Sequence, residues 1–104
     1  MVHRIVYHPN AEAELDKLYS DIGQRVGSLV AGRFIDGLLT FIEGLAPYPE
    51  RGTLRQSRVP GLRIIGYRRS ISVAFSVREA DVLILGVFAH GRDVRDDLLA
   101  ERDE

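Results

Sequence analysis

The chain has 104 residues, a formal net charge of −1, 45% hydrophobic residues and no cysteine. That length holds one domain with a modest core, and the missing cysteines exclude disulfides, thiolate metal sites and thiol nucleophiles. No apolar stretch approaches the roughly 20 residues of a membrane-spanning helix and MVHRIVYHPN has no signal-peptide core, so the expectation is a single domain, 1–104, in the cytoplasm.

In chain order, HRIVYH has the β-branched content of a short strand, which Pro9 stops. Proline suits the first turn of a helix, and Ala11, Leu15, Leu18, Tyr19 and Ile22 then recur at helical spacing, predicting a helix over 11–24 with its acids mostly off the apolar stripe. Gly23 and Gly27 bracket a break. A second helix over 28–45 carries Leu29, Val30, Phe34, Ile35, Leu38, Leu39, Phe41, Ile42 and Leu45, a face wide enough to lie between another helix and a sheet. The short connection makes the two helices antiparallel neighbours, and PYPERG, with two prolines and a glycine, ends the second.

From Leu62 the period changes. LRIIGYR is a strand candidate, Arg69-Ser70 a turn, and Ile71, Val73, Phe75 and Val77 alternate with small residues as in a strand with one apolar face. After the short turn Glu79-Ala80-Asp81, VLILGVFA is continuously apolar and reads as a strand buried on both faces. Gly91 stops it, and RDVRDDLLAERD can form a terminal helix. The order β-α-α-β-β-β predicts an α+β fold, a helical hairpin packed on a mainly antiparallel four-stranded sheet, the first strand joining a three-strand meander.

The small net charge hides a segregation. Residues 1–50 hold Arg4, Lys17, Arg25 and Arg33 against seven acids; residues 51–78 hold seven arginines and no acid; residues 79–104 hold three arginines against eight acids. An all-arginine basic block suits bidentate contact with carboxylates or phosphates and predicts an anionic partner, although for any single arginine a pair with a flanking acid is the plainer reading.

Motifs for chemistry are sparse. His3 and His8 point to opposite faces of one strand and His90 lies far along the chain, so no metal site is expected. Glu12 and Asp16 stand at i, i+4, where a solvated acidic face is the plainer reading than a shared cation. Phosphate-binding glycine loops and nucleophile elbows are absent, and no cofactor is expected. Metal-free RNA cleavage needs a base, an acid and cations for the phosphorane; His90 with Arg63 and Arg92 would be the candidates. No second acid-base group stands out, so His90 in AHGRD reads as an anchor for the end of the last strand, and catalytic residues are expected to be none.

An N-terminal strand followed by AEAELDKLYSDI, then RFIDGLLTFIEGLAPYPERG, PGLRIIGYRRSISVAFSV and VLILGVFAHGRD, together and in this order over nearly the whole chain, resemble the RelE/ParE superfamily of toxins from type II toxin–antitoxin systems. The resemblance is closer to the ParE branch, which is associated with inhibition of DNA gyrase. The RelE branch comprises ribosome-dependent messenger RNA endonucleases that typically use sheet lysines and arginines with a C-terminal tyrosine or a histidine-tyrosine ending. Here the only lysine is Lys17 and no tyrosine follows Tyr67. The resemblance implies a ParD-like antitoxin that wraps a partly disordered segment around the hairpin and the sheet in a hetero-oligomer, with no sequence-specific nucleic-acid binding by the toxin alone. An acidic amphipathic segment would complement the arginines, so Arg58, Arg63, Arg68 and Arg78, with Tyr67, are expected to meet antitoxin or target.

Overall fold

A computed structural model describes residues 2–89 and 94–103. The elements are β1 (Arg4–Tyr7), α1 (Pro9–Val26), α2 (Ser28–Glu43), β2 (Thr53–Leu54), β3 (Leu62–Tyr67), β4 (Ile71–Arg78), β5 (Asp81–Ala89) and α3 (Asp96–Arg102). They form an α+β fold around one sheet of order β1-β5-β4-β3-β2, in which β1 runs parallel to β5 and every other pairing is antiparallel. The expected four strands are all present. The fifth, β2, escaped the sequence because two residues are too short to show a period; it exists by pairing with Ile64 and Arg63 of β3.

Each helix starts and stops for a local reason. Pro9 opens α1, and the His8 ring caps it, Nδ1 accepting from the Asn10 amide at 3.0 Å. Gly27 alone separates the helices, at φ 94° and ψ 158°, a region open to glycine and strained for other residues. Its N–H donates to the Gly23 carbonyl at 2.9 Å while its own carbonyl accepts from Ala31 at 3.1 Å, so one residue closes α1 and opens α2.

The hairpin covers one face of the sheet. Ala11, Leu15, Leu38 and Ile42 pack there on Tyr67, Ile71, Val73, Phe75, Val82, Ile84 and Val87. The alternation along β4 suggested a single apolar face, but Ala74 and Ser76 on the other side are also fully buried. A second core of Val59, Leu62, Ala74, Leu85, Phe88 and Leu99 lies there beneath α3. The small side chains at alternate positions of β4 leave room for that layer.

The unbroken apolar run of β5 has a specific cause. Ala74 pairs with Gly86 and Phe75 with Ile84, so Leu85 is an extra residue in a β-bulge. Before the bulge, even-numbered Val82 and Ile84 face the hairpin; after it, odd-numbered Val87 does, while Leu85 and Phe88 face α3. The run is unbroken because both faces are covered, as the sequence predicted, Val82 and Ile84 lying on the hairpin side and Leu83 and Leu85 on the other; the bulge changes which parity faces the hairpin.

Candidate interaction surface

The predicted arginines do not converge on one patch. Arg63 pairs with Phe75 across the ladder and so shares the hairpin face, where its Nη1 donates to the Arg51 carbonyl at 3.4 Å. Arg78 shares the opposite face with Ser76: its Nε donates to Ser76 Oγ at 3.0 Å, and its Nη2 forms an ion pair with Asp103. Ser76 Oγ in turn donates to the Pro60 carbonyl at 2.7 Å, so Arg78 ties the loop before β3 to the end of α3. Arg58 is exposed on that loop. Arg68 stands at the β3–β4 turn, its guanidinium 5.4 Å from the centre of the Tyr67 ring. Arg68 and Arg69 hold φ of 49° and 59°, a turn conformation that asparagine and glycine adopt with less strain.

Tyr67, expected with the contact residues, has its ring in the core. It is 8% exposed and is clamped between Phe34 and Phe41 of α2, at centroid distances of 5.7 and 5.0 Å. The close approach of its hydroxyl explains Gly37, where a Cβ would come within 2.6 Å of that oxygen. His90 and Arg92, named for a nuclease with Arg63, lie outside the described residues, as do Gly91 and Asp93.

The structure adds a pair that sequence reasoning missed. Pro9 sends the chain into α1, so β1 accompanies β5 only as far as Ile84. Beyond it the edge of β5 has no strand beside it among the described residues, and buried backbone groups there need other partners. Two side chains supply them: the Glu14 carboxylate accepts from the Val87 amide at 3.0 Å, and Arg102 Nη1 donates to the Leu85 carbonyl at 2.9 Å. The two are joined by hydrogen bonds of 2.9 and 3.1 Å, and Arg102 is only 8% exposed. Gly86 leaves the space, since a Cβ there would meet the Phe88 ring at 2.5 Å and Arg102 at 2.9 Å. One signal was present: Glu14 stands three residues after Ala11 and four before Leu18, on the apolar stripe.

On the hairpin side, β1, α1 and α2 enclose an open groove of about 350 Å³ lined by Tyr7, Glu12, Leu15, Asp16, Tyr19, Ile35 and Leu39. The Tyr7 hydroxyl is buried beside the Glu43 side chain, outside ideal hydrogen-bond geometry. Burial, and then the nearby negative charge of Glu43, push its pKa from 10.0 up to about 12. The folded chain therefore holds this proton more tightly than the unfolded chain does. Stability owed to the neutral phenol is fully present below pH 10 and is lost as pH rises towards 12. Urea midpoints measured at pH 9 and 11.5 should fall across that window, and Tyr7→Phe should shrink the fall; an equal decline in the variant would contradict the assignment.

Similarity to known proteins accords with this architecture. Residues 5–94 match the family model for the ParE toxin of the type II toxin–antitoxin system parDE. Among solved structures, the chain is similar to one from the chromosomal ParDE toxin–antitoxin system of P. aeruginosa, with a TM-score of 0.73 and 24% identity over 85% of this chain and 96% of that one. It is also similar to one from the RelBE2 toxin–antitoxin complex of Mycobacterium tuberculosis, with a TM-score of 0.66 and 18% identity over 88% and 95%. A mutant of the E. coli toxin RelE in the free state gives a TM-score of 0.62 and 17% identity over 98% and 95%. No curated protein matches by sequence. With the family model spanning the helical hairpin and nearly all of the sheet, the chain belongs to the ParE toxin family of type II toxin–antitoxin systems.

Proposed function

We propose that the chain is a cytoplasmic toxin that binds and poisons DNA gyrase, performs no chemistry of its own and is neutralised by a ParD-like antitoxin. The observation that carries this reading is the ParE family match in a chain that lacks the lysine and tyrosine set of the nuclease branch while keeping arginines. Its single lysine, Lys17, is spent on Asp21 of the same helix at 2.9 Å, and its last tyrosine, Tyr67, is buried under α2. A cleaving enzyme needs an acid and a base poised at the scissile phosphate, whereas a poison needs only a complementary surface. Arg58, Arg63, Arg68 and Arg78 supply positive charge towards antitoxin or target, with Arg78 acting through the segment it secures.

Purified toxin should block gyrase supercoiling or trap cleaved DNA, and addition of the antitoxin should reverse the effect. Undiminished supercoiling at saturating toxin would defeat the gyrase assignment. Mapping of transcript ends after induction separates the alternative: fresh cuts inside ribosome-bound messages would mark an endonuclease, while an SOS response without cuts supports the poison.

A further inference from the structure

The Ser70 N–H donates to the Tyr67 carbonyl at 3.1 Å, closing a turn whose two central residues, Arg68 and Arg69, hold φ of 49° and 59°. Positive φ at both central positions is the type I′ geometry, which asparagine and glycine occupy readily and bulkier residues only under strain. Contacts inside the fold do not explain why both residues are arginine. Arg68 rests on the Tyr67 ring at 5.4 Å, and Arg69 makes no side-chain hydrogen bond, ion pair or ring contact among the described residues. Strain with so little inside the fold to offset it is expected where a partner completes the site. The surroundings carry one sign of charge. Arg68 and Arg69 are exposed, and so is Arg33, one helical turn before Gly37 on the α2 face that packs against Tyr67. None of the three is held in an ion pair among the described residues. The acid nearest Arg33 along α2 is Asp36, while Glu79 and Asp81 lie at the opposite end of β4.

We propose that this turn is a cationic tip that binds the phosphate backbone of duplex DNA without reading its sequence, with Arg33 as a flanking contact. That the DNA is the duplex held by gyrase rests on the proposed target; the affinity of the tip for DNA does not. A duplex carries one negative charge per about 1.7 Å of its axis, so adjacent cations on a fixed tip meet phosphates together. Carboxylates along an extended peptide turn to alternate sides and meet such a tip singly. Arginine contacts phosphate in bidentate fashion, and the Tyr67 ring beneath Arg68 holds one guanidinium in place before binding, which lowers the cost of ordering it.

The test follows binding of a short labelled DNA duplex to the full chain by fluorescence anisotropy, between about 50 and 200 mM salt. R68N/R69G should bind at least about tenfold more weakly at low salt, and its slope of log K against log salt should be shallower by about 2, since each phosphate contact contributes about 0.9. The same variant should raise the urea midpoint, because Asn-Gly suits the turn. A turn with only a structural role would leave the DNA slope where it was. R68K/R69K keeps both charges and should keep most of the slope, and R4Q, which removes an exposed arginine at the far end of the sheet, should leave it unchanged. An unchanged slope in R68N/R69G overturns the proposal, as does an equal change in R4Q. A glutamate-rich peptide or an RNA stem that binds the native chain more tightly than the DNA, and loses that advantage in R68N/R69G, overturns DNA as the occupant. In the supercoiling assay R68N/R69G should need at least about tenfold more protein to poison gyrase, in line with its lost DNA affinity. Equal poisoning by native chain and variant overturns the contact with gyrase-held DNA and leaves the target standing. Native DNA binding that depends on the turn, in a chain that leaves gyrase untouched, supports the tip and defeats the gyrase reading alone.

Discussion

Replacing Arg102 with alanine is expected to cost about 3–5 kcal/mol of folding stability, the range for breaking a buried ion pair by removing one partner. Arg102 is 8% exposed and makes three hydrogen bonds at once, two to Glu14 and one to the Leu85 carbonyl. Its loss leaves the Glu14 carboxylate without its cation and the Leu85 carbonyl without a donor, and removes one tie between α3 and β5. The Glu14 side chain keeps 22% of its exposure, so water offsets part of the penalty and places the effect towards the lower end of the range. Glu14→Gln should cost less than Arg102→Ala, because the amide oxygen can still accept from Val87. Urea denaturation of both single variants and the double variant measures the coupling. Additive losses would mean that the two side chains act independently, contrary to the geometry.

Tyr67→Ala should be comparably severe. The ring is clamped by Phe34 and Phe41 and belongs to the core beneath the hairpin, and truncating a buried aromatic costs about 3–5 kcal/mol. Arg68 also loses the ring it rests on. A marginally stable domain of this size would lose much of its folded population, and toxicity would fall with it. Tyr67→Phe keeps the ring, its packing and the support for Arg68, and should remain toxic and folded. The two variants separate a core tyrosine from a contact tyrosine. A Tyr67→Ala chain with a native urea midpoint that had lost only its affinity for antitoxin would show that the residue serves the interface.

Much of the architecture was legible because it is local. The stripe from Ala11 to Ile22, the wide apolar face from Leu29 to Leu45 and the alternation from Ile71 to Val77 each report one element's period, and the glycine and proline breaks delimit them. The helix bounds moved by about two residues, as caps such as His8 and Gly27 set them. The interaction surface was less legible. A run of seven arginines is one cluster along the chain, yet strand alternation turns Arg63 and Arg78 to opposite faces. The groove on the hairpin side draws on β1, α1 and α2, and no single stretch displays it.

Composition and periodicity were enough to establish the absence of cysteine chemistry, the helical hairpin and the meander, since each depends on residues within a turn or a strand of one another, whereas the family came from a resemblance spread over nearly the whole chain. Three features needed the chain folded. The bulge at Leu85 reverses which residues of β5 face the hairpin, and its register comes from pairing with β4. Glu14 and Arg102 meet across 88 positions to close the half of the β5 edge that β1 does not reach. Tyr7 of β1 comes under the influence of Glu43 of α2 only in the folded chain. All three arise from groups distant in sequence competing for the same buried space, where an unmet hydrogen bond is expensive, and that competition has no trace in the order of residues along the chain.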